Sequence, residues 1–152
     1  DYKVTGVQTC ALPICFSSSS NAAGYRFEGV SYDLPFIGAT WDFDSNGTAD
    51  ALTDGLLLLR HTFGLRGGML TDGAIAPDSP LSAAEVEAAI GDAYSIADID
   101  GNGVVDALTD GLMLLRYLFG LRGDMLIGGA VSPDATRSTV ADIEGYIQSY
   151  MP

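Results

Sequence analysis

Asp98-Ile-Asp-Gly-Asn-Gly-Val-Val-Asp-Ala-Leu-Thr-Asp-Gly111 decides how this chain is read, because a near copy, Asp42-Phe-Asp-Ser-Asn-Gly-Thr-Ala-Asp-Ala-Leu-Thr-Asp-Gly55, precedes it. In both stretches oxygen-bearing side chains stand at loop positions 1, 3 and 5, a glycine at 6 and an aspartate at 9. Alternation of this kind turns several carboxylates toward one point. A hard cation such as Ca²⁺ needs that, since it takes about 6–8 oxygens at about 2.3–2.6 Å.

On this reading Asp42, Asp44 and Asn46 converge on one ion, Gly47 makes the sharp turn, and Thr48 offers its backbone carbonyl at position 7. Asp98, Asp100, Asn102, Gly103 and Val104 repeat the arrangement. The pattern then departs from an EF-hand, in which position 12 is a bidentate Glu; here it is Thr53 or Thr109, and an aspartate follows one residue later. If a helix starts near position 9, Asp50 and Asp54 lie at i, i+4 on one face toward the ion, as do Asp106 and Asp110, so Asp50 and Asp106 are expected among the metal ligands. Asp54 and Asp110 are therefore expected to replace the missing Glu. The alternative makes Thr53 and Thr109 hydroxyl or water-mediated ligands and leaves the two aspartates as favourable charges in a first helical turn. Asp/Asn/Gly turn chemistry before a helix could produce one such stretch without a metal. Two copies that agree at every ligand position point to two calcium sites.

The 152 residues suit one domain with a single core, and the net charge of −13 is largely explained by the loops. Eight of the 20 acidic residues are Asp42, Asp44, Asp50, Asp54, Asp98, Asp100, Asp106 and Asp110. Such carboxylates repel one another without a cation, so metal binding should be coupled to folding. An acidic chain is a poor partner for nucleic acid or an anionic membrane. No apolar run reaches the length of a membrane span.

Residues 4–14 resemble a common sequencing adaptor translated in frame, and are expected not to be native sequence, in an environmental chain truncated at its start. Cys10 lies inside that stretch and Cys15 abuts it, so neither reports on the redox compartment. Residues 1–23 read as an extended tail or linker with a Ser-rich part. Residues 24–152 read as a calcium-binding domain made of two repeats, 41–95 and 97–151. Tyr25, Phe27, Val30, Tyr32 and Phe36 suggest one or two short strands that cover the core, with Pro35 breaking any longer one. The fold class expected is thus mainly α: two pseudo-symmetric calcium-loop/helix units with additional helices, preceded by an extended or short-stranded segment.

Within the repeats, Leu52, Leu56, Leu59 and Phe63 recur as Leu108, Leu112, Leu115 and Phe119, a helical stripe expected to face its counterpart. Gly64 and Gly120 are predicted C′ caps, and Arg60 and Arg116 suit the negative end of the helix dipole. Met69-Leu70 and Met125-Leu126 should return apolar side chains to the core from long Gly-rich connections. Ser82-Ala-Ala-Glu85 is a capping box for a helix to about residue 94, and Thr139-Val-Ala-Asp142 resembles one for a helix to about residue 150.

The duplicated Asp-rich loop followed by a Leu-rich helix resembles the type I dockerin repeat, over Asp42 to Phe119. That resemblance implies two loop–helix units related by a pseudo-twofold, secretion, and a protein-binding role in a larger extracellular assembly. Three features differ from the family: the acidic residue at position 13, a longer connection between repeats, and Ala51-Leu52 and Ala107-Leu108 where dockerins present a polar pair to cohesins. The calcium role carries over, and a cohesin partner does not.

An enzyme is the weakest reading. The only histidine, His61, is matched by Tyr117 and reads as a helix-surface residue, and no nucleophile has a candidate base. Arg122-Gly-Asp124 spells an adhesion tripeptide that the first repeat lacks, and Asn46-Gly-Thr48 is formally a glycosylation acceptor whose Asn is already a ligand. The function expected is an extracellular or cell-surface calcium-binding assembly protein. It would bind a protein partner or copies of itself, as a filament subunit joined through the N-terminal segment, or else form the C-terminal interaction module of a larger secreted protein.

Overall fold

The structure, a computed structural model, describes residues 39–152. The expected tail and the strands before residue 39 lie outside the described residues. Among the described residues the chain is mainly helical, with seven α-helices and no strand. In order these are α1 (Leu56–Thr62), α2 (Gly68–Thr71), α3 (Ala83–Asp92), α4 (Tyr94–Ala97), α5 (Leu112–Leu118), α6 (Asp124–Ile127) and α7 (Val140–Gln148). None is long and apolar enough to cross a membrane.

Each acidic loop feeds its helix through a single wide turn, Ala51–Gly55 before α1 and Ala107–Gly111 before α5. Asp50 and Asp106 are extended, and their carbonyls accept from Gly55 N–H and Gly111 N–H at 3.0 Å, an i to i+5 bond in place of i to i+4. This accommodates the one-residue displacement of the acidic position. A π turn holds an extra residue, so Asp54 and Asp110 still come round to the loop that a twelfth residue would face on an α-helix.

The same turn brings the repeats together. A Cβ on Gly55 would stand 3.0 Å from Leu115 Cδ1 and 3.3 Å from Leu118 Cδ1, and one on Gly111 would stand 3.0 Å from Thr62 Oγ1 and 3.2 Å from Leu59 Cδ1. Each glycine therefore lets the start of one helix lie against the middle of the other. The predicted stripe is corrected by this contact. Leu59 and Leu115 do line the crossing and Leu56 and Leu112 pack against the core, but Leu52, Phe63, Leu108 and Phe119 are exposed, and the side chains of α1 and α5 that are fully buried are Leu57, Leu58, Met113 and Leu114. Four successive leucines, Leu56 to Leu59, make two helical faces equally apolar, and the extra residue of the wide turn selects the face that the stripe did not use.

A single core forms around Trp41, Phe43, Leu57, Leu58, Met113 and Leu114, closed by Val86 and Ile90 of α3 and Ile143 and Ile147 of α7. The helix ends follow the sequence signals. Gly64 N–H bonds to His61 O and Leu65 N–H to Arg60 O, and Gly120 and Leu121 repeat the pair, which is the Schellman arrangement. Ser82 and Glu85 make the reciprocal capping box, and Thr139 Oγ1 accepts from Asp142 N–H.

Arg60 reaches further than its own helix end. Its Nη1 donates to Leu70 O at 2.9 Å and Asp72 O at 3.0 Å, and Arg116 does the same to Leu126 O and Gly128 O, so each satisfies the terminal carbonyls of a short neighbouring helix. The long connections are packed as expected through Leu70 and Leu126, whereas Met69 and Met125 point outward. Trp41 joins the first loop to the end of the chain: its Nε1 donates to Ile147 O at 2.7 Å and its backbone N–H to Tyr150 O at 3.1 Å.

Candidate metal centre

Two sets of three carboxylates converge, Asp42, Asp44 and Asp54 in the first repeat and Asp98, Asp100 and Asp110 in the second, with one oxygen from each lying within 4.8 Å of the others in its set. Four of the six, Asp44, Asp54, Asp100 and Asp110, are fully buried at 0 % exposure. Buried like charges at such separations are unfavourable unless a cation joins them or protons neutralise them.

Backbone N–H groups fix each carboxylate. Asp42 Oδ1 accepts from Asn46 N–H at 3.1 Å and its Oδ2 from Gly47 N–H at 2.9 Å, while Asp98 accepts from Asn102 and Gly103 N–H at the same distances. Gly47 and Gly103, at φ 91° and 86°, hold the left-handed turn that aims those amides inward. Asp44 Oδ2 takes Ala76 N–H at 2.7 Å, and Asp100 Oδ2 takes Ser132 N–H at 2.8 Å. The late aspartate closes each loop on itself. Asp54 Oδ1 accepts from Phe43 N–H at 2.7 Å and Oδ2 from Asp50 N–H at 2.8 Å; Asp110 accepts from Ile99 at 2.7 Å and Asp106 at 2.9 Å.

Burial dominates the acidities. It pushes Asp54 up to about 6 against the opposing N–H donors of Asp50 and Phe43, and it raises Asp44 and Asp110 as well. Among the described residues no Lys or Arg forms an ion pair with either set; the pair present is Arg66–Glu87 at 3.8 Å. Donors that are all oxygen, mostly buried and lacking a compensating side-chain cation fit a hard divalent ion.

Not every residue expected at the sites joins the triads. Asp106 Oδ1 caps its helix, accepting from Leu108 N–H at 2.9 Å and Thr109 N–H at 3.0 Å, and Asp50 Oδ2 accepts from Thr48 Oγ1 at 3.0 Å. Asn46 Oδ1 takes Thr48 N–H at 2.8 Å and Asn102 Oδ1 takes Val104 N–H at 2.7 Å, which shapes the loop at positions 5 to 7. Thr53 and Thr109 each donate their hydroxyl to the neighbouring aspartate at 3.0 Å, so they support Asp54 and Asp110.

The sequence reading missed Ala76 and Ser132 as amide donors. Their signal was the recurrence of Gly-Ala-Ile-Ala-Pro-Asp as Gly-Ala-Val-Ser-Pro-Asp, in which both stand directly before the proline. His61 is corrected: it is buried, its Nδ1 lies 3.1 Å from Tyr94 Oη, and burial lowers its pKa, so it packs the helix interface in neutral form. No family model matches the chain, and no match is found among curated proteins or solved structures.

Proposed function

We propose that the chain is an extracellular calcium-binding assembly protein in which two Ca²⁺ sites, at Asp42/Asp44/Asp54 and Asp98/Asp100/Asp110, lock a protein-interaction domain into its folded form. The observation that carries this reading is the pair of buried aspartate triads, one in each copy of a duplicated loop. Asn46 and Asn102 and the carbonyls of Thr48 and Val104 would complete each shell, as the loop pattern implies. Asp50 and Asp106 would hold the loop to the helix start, with Asp106 as the N-cap. Bound calcium would supply the positive charge that lets the buried carboxylates remain ionised.

The reciprocal approach of Gly55 to Leu115 and Gly111 to Leu59 supports two loop–helix units related by a pseudo-twofold, the arrangement of the dockerin repeat that the loops resemble. Ala51 and Ala107 are buried beside exposed Leu52 and Leu108, so the surface next to the loops is apolar where dockerins are polar. That favours a partner other than a cohesin, and copies of this chain joined through the N-terminal segment are the reading we adopt. The runner-up is an interaction module of a larger secreted protein. Chelation tests the calcium claim: at Ca²⁺ about 100 times its Kd, each site contributes about 2.7 kcal/mol to stability. Removal by EGTA should lower the melting temperature by many degrees, with Mg²⁺ a poor substitute because it demands tighter octahedral geometry. An unchanged melting curve would refute it.

A further inference from the structure

The two loops are built alike but held differently. In the first repeat, two bonds from the connection between α2 and α3 reach the loop, Ala76 N–H to Asp44 Oδ2 at 2.7 Å and Ser79 Oγ to the Asp44 carbonyl. In the second, residues 132–137 wrap the loop more tightly. Ser132 N–H donates to Asp100 Oδ2 at 2.8 Å, Arg137 N–H to Asp100 O at 2.8 Å, and Thr136 Oγ1 to Gly101 O at 2.9 Å. The Arg137 guanidinium adds two more, Nε to Ile99 O at 2.7 Å and Nη2 to Asp98 O.

Among the described residues the packing behind this grip is also particular to the second repeat. Arg137 lies over the ring of Tyr146, 3.9 Å from its centroid, and Tyr146 Oη donates to Ile96 O at 3.0 Å. Ala89 of α3 stands where α7 has Tyr146, and the stretch Ser79-Pro-Leu81 that corresponds to 135–137 carries no cation. Gly101, at φ 71°, admits Thr136, because a Cβ there would collide with Thr136 Oγ1; the first repeat has Ser45 at that place. Glycine at loop position 4, the threonine hydroxyl, the arginine fork and the tyrosine platform thus form one connected device.

We infer that Arg137 and Thr136 pre-organise the second loop for its cation, so that the Asp98/Asp100/Asp110 site fills first and more tightly, while the Asp42/Asp44/Asp54 site fills second. This rests on the calcium reading above. Holding a loop in its bound form removes an ordering cost that binding would otherwise bear. Arg137 donates to backbone carbonyls and to none of the carboxylates, so its guanidinium takes no triad oxygen from the ion. Its charge repels a cation, but at a partly solvated position screening limits that opposing effect.

The test is a calcium titration of the full chain, followed through the Gly47 and Gly103 amide resonances, which report the two loops separately. Gly103 should respond first, with the second loop tighter by about tenfold, the scale of one or two net hydrogen bonds. Arg137→Leu should weaken the second loop by about that factor and leave the first unchanged, and Arg137→Lys, which keeps the charge but not the fork, should recover only part of the loss. Equal loops in the wild type, Gly47 responding first, tighter binding in Arg137→Leu, or equal weakening of both loops would overturn the inference, the last showing a purely structural role. Should Arg137→Leu fail to fold, Thr136→Val removes a single donor, and an unchanged second loop in that variant would overturn it as well. No calcium response in either loop would remove the calcium reading itself, an outcome distinct from two responsive, equal loops.

Discussion

The raised pKa of Asp54 makes a prediction whose sign reverses with calcium. In metal-free protein its carboxyl titrates at about 6 instead of 3.8, because burial disfavours the charge more than the N–H groups of Asp50 and Phe43 favour it. The folded state then binds more protons than the unfolded chain between those values. Stability is therefore fully present below pH 3.8 and is lost as pH rises through about 6. Two units correspond to about 3 kcal/mol, a sizeable part of the about 5–15 kcal/mol that holds an ordinary domain together. Asp44 and Asp110, also raised by burial, act in the same direction. His61 opposes them, since its lowered pKa means that stability is lost as pH falls below 6.5. A His61→Phe background keeps the ring against Tyr94 and removes that titration.

The measurement is urea unfolding of His61→Phe protein from pH 7.5 to 4.5, once with EGTA and once with saturating calcium. Metal-free protein should gain stability on acidification. Calcium-loaded protein should lose it, because protonation of Asp54 competes with the ion. The two profiles should approach each other near pH 5. Parallel profiles, or metal-free protein that weakens steadily on acidification, would show that the triad does not carry buried, uncompensated charge. Asp54→Asn is a poorer probe than pH, since an amide cannot accept at both oxygens and would orphan Phe43 N–H or Asp50 N–H, at about 1–3 kcal/mol.

Replacing Asp110 by Ala should weaken calcium at the second loop by about 100-fold or more, whereas Thr109→Val, which removes one supporting hydroxyl, should cost about tenfold or less by calorimetry. Gly55→Ala places a methyl 3.0 Å from Leu115 Cδ1 and 3.3 Å from Leu115 Cα, and should destabilise by about 1–2 kcal/mol in urea even though alanine favours helices; a gain in stability would contradict the close crossing. Deleting the residues before Gly24 should leave the calcium-dependent melting transition intact but abolish assembly in electron micrographs. A truncated chain that still polymerises would favour the interaction module over the filament subunit.

The triads were legible in the sequence because ligand spacing is a local property: Asp42 and Asp44, or Asp98 and Asp100, reach one point through a few backbone angles that Gly47 and Gly103 permit. The helix caps were legible for the same reason, since Ser82–Glu85 and Gly64 act within one turn. The buried face of α1 was not. Its leucine run satisfies two registers, and the choice between them depends on where Gly55 meets Leu115, a contact made across the repeat. His61 was misread because its partner, Tyr94, lies on another helix.

The displaced acidic residue links these successes and failures. Read as spacing, an aspartate at position 13 is a departure from the loop pattern, and two accounts of it stayed open, a ligand or a helix-dipole charge. The wide turn decides the placement: the Gly55 N–H to Asp50 O bond spans five residues, and Asp54 returns to accept from Phe43 N–H inside the loop. The extra residue that brings the carboxylate home also shifts everything after it by one position along the helix. Leu57 and Leu58 then turn inward, and the glycine that ends the turn meets the other repeat. Site geometry and core register are therefore set by one structural event. A deletion that restored the acidic residue to position 12 would have to repack the helix crossing to keep the site.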